Sequence, residues 1–305
     1  MRRLRAQVAE LGRLRRAPAT VSAYASDWRD FETWCASAGR IALPASAETL
    51  ELYLADRMRA LKASSLQRRV AAVAAAHEDA GHASPYTRRV KDFLRGVRRK
   101  FGARVDQAAP LSVEDLRIIC RALPGSLPSP EGRSAALRDR CIFTLGFAAA
   151  MRRSELVGLD VRDLVFSAAG VEVTIRRSKT DQEARGRKVG VFFGTRGAPS
   201  CPVRCLAAWL KVRGPGSGPL FPGSGASGRL TVQAVNLIVK RGVCLAGLDP
   251  ALYSAHSLRA GFCTYAAGAG VPDTLTMKTT GHRRADTLAG YVRPLFGANV
   301  LSKAL

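Results

Sequence analysis

Acidic residues are scarce in this chain. Its 305 residues include 24 Asp and Glu against 48 Lys and Arg, a formal net charge of +24. Long apolar runs are also missing. The longest, roughly residues 141–151, is too short to span a bilayer. The opening stretch MRRLRAQVAELGRLRRAP is positive but lacks the apolar segment of a secretory signal. A cytoplasmic location without membrane attachment is therefore expected. The seven cysteines are an odd number in a long chain, which argues against a disulfide framework. Only Cys201 and Cys205 lie close together, in CPVRC, and no second pair completes a zinc site. HEDAGH (77–82) resembles a metalloprotease helix at first sight. Its histidines are five residues apart, off a common helical face, whereas chelation needs a spacing of four. No metal is expected.

What the chain does have is apolar content and size. The apolar fraction is 47%, so low-hydrophobicity disorder is not expected, and 305 residues suggest two domains rather than one. Residues 1–105 carry 21 basic and 10 acidic side chains (+11), and residues 106–305 carry 27 and 14 (+13). The basicity thus belongs to both halves. Two basic modules on one chain suit a large polyanion gripped from two sides, and a nucleic acid is the natural candidate. Its Ala- and Arg-rich composition points to a GC-rich bacterial genome.

The fold class expected is mainly α. Val21, Tyr24, Trp28, Phe31 and Cys35 recur at helical spacing before Gly39. A second stripe is Leu50, Leu54, Met58 and Leu61. A third helix is expected to open at Ser64, with Gln67 closing a capping box. The fourth aligns Tyr86, Val90, Phe93, Leu94, Val97 and Phe101, and its other side carries Arg88, Arg89, Lys91, Arg95, Arg98, Arg99 and Lys100. With Asp92 as the only acid on that helix, these seven cations are read as phosphate contacts rather than a solvated face. Residues 1–105 are thus expected to form a helical DNA-binding domain, 106–111 a linker and 112–305 the second domain. There, Ser112 and Asp115 should open a helix and a long apolar helix should cover about 133–150. VEVTIRR (171–177) and KVGVFF (188–193) should pair as a small antiparallel hairpin. Helices are expected again at 202–213, 231–246, 255–268 and 273–280.

Five separated stretches remain: AMRRSEL (150–156), SKTDQ (178–182), HSLR (256–259), Gly281-His282, and Tyr291 nine residues after that histidine. As a set they resemble the tyrosine recombinases, the phage integrase family. Arg152 and Glu155 match the first arginine box, Lys179 the lysine on or beside a β-hairpin, HSLR the His-x-x-Arg box, and Gly281-His282 with Tyr291 the last box and nucleophile. The N-terminal half resembles the family's core-binding, SAM-like four-helix domain.

The resemblance implies a site-specific DNA recombinase that cuts and rejoins strands through a 3′-phosphotyrosyl bond, without metal or ATP. Tyr291 would attack phosphorus, and His256 would take the phenolic proton. Arg152 and Arg259 would grip the non-bridging oxygens, Lys179 would protonate the leaving 5′-oxygen, and His282 would donate a hydrogen bond to the phosphate. Glu155 would hold His256 or an arginine. A phenol with a pKa near 10 is ionised at roughly one part in a thousand at neutral pH, so Tyr291 needs such neighbours. Tyr253 and Tyr265 are rival nucleophiles, but neither lies nine residues after a Gly-His pair. Arg176, Arg177 and Lys188 are rival cations beside Lys179. Arg283 and Arg284 read as further phosphate contacts. Leu295, Phe296, Val300, Leu301 and Leu305 read as an apolar tail face for a neighbouring protomer. The implied partner is double-stranded DNA with inverted half-sites, bound by a homodimer that pairs into a tetrameric synaptic complex. Two other tasks remain open for such a chain: a type IB topoisomerase-like relaxing activity, and a non-catalytic accessory role on DNA.

Overall fold

The structure is a computed structural model that describes residues 1, 4, 15–102, 107–124, 129–178, 181, 186–225 and 228–292. The described residues form twelve α-helices and one three-stranded sheet, divided between two compact units, Met1–Asp106 and Gln107–Leu305. No helix among the described residues is long and apolar enough to cross a membrane.

The described residues of the first unit include four helices: α1 (Pro18–Ser37), α2 (Ala47–Arg57), α3 (Ala63–Asp79) and α4 (Arg88–Phe101). Pro18 starts α1, where a missing N–H costs nothing. Ser46 caps α2 by accepting from the Thr49 N–H. The expected Ser64–Gln67 box is not used. Helix α3 begins at Ala63 with Lys62 at the cap position, in the phase that buries Leu66, Val70 and Val73. The core gathers Phe31, Cys35, Leu50, Tyr53, Leu54, Leu66, Val90 and Leu94, but Val21 and Phe101 are exposed at the ends of their stripes. His77 is fully buried; its Nε2 accepts from the Ala45 N–H and its Nδ1–H faces the Val73 carbonyl. It is a core histidine.

Two carboxylates of α1 point inward against arginines of the neighbouring helices. Asp27, 2% exposed, accepts two bonds from Arg68, at 2.7 and 3.0 Å. Asp30 accepts from the Tyr53 hydroxyl at 2.6 Å and pairs with Arg69 and Arg57.

In the second unit, α5 (Val113–Ala122) opens with the expected box: Ser112 Oγ accepts from the Asp115 N–H, and Asp115 accepts from the Ser112 N–H. Helix α6 (Pro130–Ala148) is the central pillar, with every residue from Cys141 to Phe147 buried. Short α7 (Arg153–Val157) follows, then a 3₁₀ turn (Val161–Asp163) and strands β1 (Leu164–Ser167), β2 (Gly170–Ile175) and β3 (Arg187–Phe192). The order is β1-β2-β3, antiparallel throughout, with Val171 opposite Val191 and Val173 opposite Val189. The β2–β3 hairpin was expected; β1 was not, because its exposed side chains show no alternation.

Helices α8 (Pro202–Arg213), α9 (Val232–Leu245), α10 (His256–Gly268), α11 (Asp273–Thr280) and α12 (Ala285–Ala289) complete the described part. Helix α10 packs on α6 through Leu258 and Phe262. Its Gly261 lets the chain at Leu111 lie close: a Cβ there would fall 2.1 Å from the Leu111 carbonyl oxygen. The stretch read as a linker is partly built into this unit. Leu111 is buried and its N–H donates to the Ser257 carbonyl, while the Ala109 N–H donates to the Leu252 carbonyl.

Candidate active site

The end of α6 sets the first side chain. After Ala149, Ala150 turns the chain with φ +49°, a left-handed conformation rare for a residue with a Cβ. That turn sends Arg152 into the interior and aims the Ala150 carbonyl at Arg259, whose Nη1–H donates to it at 2.6 Å. Arg152 is 8% exposed and Glu155, one helical turn later, 3%. Glu155 accepts from Arg152 twice, from its Nη1–H at 2.7 Å and from its backbone N–H at 3.0 Å. Its third donor is Arg187 at the start of β3, whose Nη2–H reaches Oε2 at 2.9 Å. Burial pushes the Glu155 carboxyl up, but hydrogen bonds and charge from Arg187 and Arg152 outweigh it and hold the pKa below the ordinary value. The site therefore contains a carboxylate.

Arg259, one turn into α10, is completely buried. One arm of its guanidinium is spent on Ala150, and Nη2–H lies 2.7 Å from His282 Nε2. Its Nε–H is buried without a protein partner. Burial, and then the charge of Arg152, lower its pKa to about 10. A guanidinium only donates, so His282 Nε2 must accept and the ring proton must be on Nδ1. Nδ1–H then donates to Thr280 Oγ1 at 2.9 Å, whose own hydroxyl bonds the Thr276 carbonyl at 2.8 Å. Burial and the neighbouring arginines lower the His282 pKa to about 4, so the ring is neutral. His282 was expected as a donor toward phosphate; here its Nε2 is an acceptor, because Arg259 reaches it first.

Tyr291 follows α12 in a turn, half-buried, its N–H bonded to the Leu288 carbonyl. The Arg259 guanidinium lies 5.3 Å from the centre of its ring, and the His282 ring centre is 5.0 Å away. Arg152, Glu155, Arg259, His282 and Tyr291 thus form one connected cluster from three distant parts of the chain. His256 occupies the first position of α10, one turn before Arg259, with an exposed side chain. Lys179 lies outside the described residues, as do all five apolar residues of the tail. Of the rival cations, Arg176 is committed to Asp160 and Asp163, and Lys188 to Glu172. Of the rival tyrosines, Tyr265 is 60% exposed. Tyr253 packs partly against the core, which raises its pKa.

Sequence reasoning missed Arg187. A signal was available: strand alternation puts it on the same side as buried Val189 and Val191, and a charge on that side needs a buried partner. Beside it, Ser178, Asp181, Lys278, His282 and Arg283 help line a cleft of about 300 Å³. Arg283 is exposed; Arg284, also exposed, pairs with Asp286 at 3.0 Å. The cations of α4 are better paired than its own sequence suggested. Asp92 serves both Arg88 and Arg95, Arg89 reaches Glu51 of α2, and Arg98 bonds Gln67 of α3.

Against known families, residues 119–297 match the phage integrase family, and residues 11–80 match the N-terminal SAM-like domain of phage integrases. The chain belongs to the phage integrase family. The chain is 34% identical to an integrase/recombinase xerD homolog of Selenomonas ruminantium over 94% of its own length and 86% of the relative's. It is 28% identical to tyrosine recombinase XerD of Bradyrhizobium diazoefficiens, covering 90% and 86%. Among solved structures, the chain shares its fold with a lambda integrase (75–356) dimer bound to a COC′ core site. There the TM-score is 0.62, at 17% identity over 95% of this chain and 94% of that one. It also shares its fold with the XerH recombinase on palindromic difH DNA, with TM-score 0.61 and 18% identity over 90% and 75%.

Proposed function

We propose that the chain is a site-specific DNA recombinase that cuts and rejoins strands through Tyr291, with Arg152, Arg259, His282, His256 and Lys179 as its catalytic set. The observation that carries this reading is the buried cluster in which the Tyr291 ring lies against Arg259, a guanidinium with one buried N–H still unfilled. A phosphodiester oxygen is a suitable acceptor for that N–H, and charge-assisted bonds of this kind are strong in a buried site. Arg152, held by Glu155, donates to the second non-bridging oxygen.

The chemistry balances without a further reactant. The Tyr291 oxygen forms a bond to phosphorus as its proton passes to His256 acting as base. The bond from phosphorus to the 5′-oxygen breaks, and Lys179 protonates the leaving oxygen. The 3′-phosphotyrosyl bond conserves the energy of the broken linkage, so a 5′-hydroxyl from another strand restores the phosphodiester and frees Tyr291. The duplex is gripped by the exposed cations of α4 together with Arg283 and Arg284, and affinity falls steeply with salt. A homodimer occupies inverted half-sites, and two dimers form the synaptic tetramer, within the bacterial cytoplasm. The two domains of this reading are 1–105, which binds DNA, and 112–305, which performs the chemistry.

A nicked suicide substrate cut from the DNA flanking the native gene tests the mechanism. The unaltered chain is expected to trap a covalent 3′ adduct that Tyr291→Phe abolishes. An adduct that survives Tyr291→Phe rules the mechanism out. Relaxation of plasmids of arbitrary sequence, without recombinant product on paired sites, would assign the chain to the topoisomerase task instead.

A further inference from the structure

Arg187 belongs to none of the motifs that point to the reaction, yet its guanidinium joins three segments of the site. Nη2–H and Nη1–H reach the two Glu155 oxygens at 2.9 and 3.4 Å, and Nε–H reaches the Thr279 carbonyl at 3.3 Å. Thr279 is in the last turn of α11, where a cation is favoured by the helix dipole. The guanidinium also lies flat against Gly281, which ends α11 with φ +68°. A Cβ on Gly281 would come within 3.0 Å of Nη1. Gly281 is the residue that turns the chain into His282.

Bonding Glu155 accounts for only one edge of this guanidinium. Arg152 already supplies a charged and a backbone donor to that carboxylate. A third guanidinium beside Arg152 and Arg259 adds repulsion to a buried cationic site, so its presence calls for a compensating role. The shape of its contacts supplies one. A planar fork can hold a carboxylate on one edge and a carbonyl on another; a lysine ammonium cannot span both. One side chain of β3 thereby sets the distance between the Arg152–Glu155 turn and the Gly281–His282 corner.

We propose that Arg187 is a positioning residue for strand cleavage, holding Glu155 and the Thr279–Gly281 corner in register so that Arg152 and Arg259, the latter bonded to His282, address the same phosphate. The assignment rests on the recombinase reading above. It is tested in the full chain on the same nicked substrate with R187M, R187K, E155Q, the E155Q/R187M pair and K188A. Three quantities are measured: the gel-shift Kd, the adduct-forming rate at saturating DNA, and the melting temperature.

R187M is expected to slow adduct formation at saturating DNA by about 30- to 100-fold, the cost of misplaced reacting groups, with Kd changed by less than about 3-fold. R187K should recover part of that loss. The E155Q/R187M pair should be no more than about 3-fold slower than its worse single variant, because the two act through one contact. K188A, on the opposite side of the same strand, should behave as the unaltered chain. An R187M rate within about 3-fold of normal, a loss that resides wholly in Kd, or multiplicative effects in the pair overturns the assignment. If R187M does not fold, R187K decides: slower at saturating DNA with an unchanged melting temperature supports the assignment, and a normal rate overturns it. No Tyr291-dependent adduct from the unaltered chain overturns the recombinase reading itself and the assignment with it. A normal adduct from R187M removes the assignment alone.

Discussion

Each unit of the molecule contains a cluster of three arginines, and the two clusters are balanced differently. In the first unit Arg57, Arg68 and Arg69 face two carboxylates, Asp27 and Asp30, with the Tyr53 hydroxyl closing the set. In the second, Glu155 bonds Arg152 and Arg187, while Arg259 bonds the Ala150 carbonyl and a neutral histidine. The protonation equilibria follow. The hydrogen bonds that Arg68 donates to Asp27 raise the Arg68 pKa, and Arg69 is raised because Tyr53, Asp30 and Asp27 outweigh its burial. Arg259 falls to about 10, since burial and Arg152 are not matched by enough negative charge. A cluster with more carboxylates to meet its arginines holds a fold together; one short of an anion is prepared to take one.

The largest test of that contrast removes the least satisfied cation. Arg259→Met is expected to lower adduct formation by about 10³-fold or more, while the melting temperature holds or rises because a poorly compensated buried charge is gone. A melting temperature that collapses would make Arg259 a structural tie like those of the first unit. Asp27→Ala breaks the better-compensated cluster. It should cost about 2–3 kcal/mol and lower the melting temperature by several degrees, with the adduct rate of the folded fraction unchanged.

The third test uses pH. His282 titrates near 4 in the folded site against 6.5 ordinarily, so below pH 6.5 the unfolded chain binds a proton that the folded chain does not. Stability should therefore fall as pH drops from 6.5 toward 4, and melting curves should shift by a few degrees. His282→Gln should remove that step. Glu155, whose pKa is depressed, keeps its stabilising charge at these pH values and gives it up only below its ordinary 4.5. The smallest effect is expected at the bend before Arg152. Ala150→Gly relieves the positive φ and should stabilise by up to about 1 kcal/mol. No gain in melting temperature would mean that the bend carries no strain.

How much of this was legible in the sequence depended on distance along the chain. The cap at Ser112 and Asp115 is local and formed as read. The box at Ser64 and Gln67 is equally local, but the helix already begins at Ala63, which puts Ser64 inside it rather than at the cap. The motifs around Arg152, Arg259, His282 and Tyr291 could be picked out because their residue types are unusual in combination, and the fold brings these four together. What could not be read was partnership. Arg187 finds Glu155 from 32 positions away, and the partners of Arg89 and Arg98 lie on other helices. Counting acids on α4 alone therefore overstated how free its cations are.

The close approach of Leu111 to Gly261 has a practical consequence for dividing the chain. The backbone from Ala109 to Leu111 is bonded to Leu252 and Ser257, and Ser257 stands between His256 and Arg259 on the same helix. A shortened chain beginning after Leu111 would leave the notch at Gly261 open and the Ser257 carbonyl without that donor. Such a fragment could fold and still lose activity with every catalytic side chain present. The boundary for studying the second unit alone therefore belongs before Gln107.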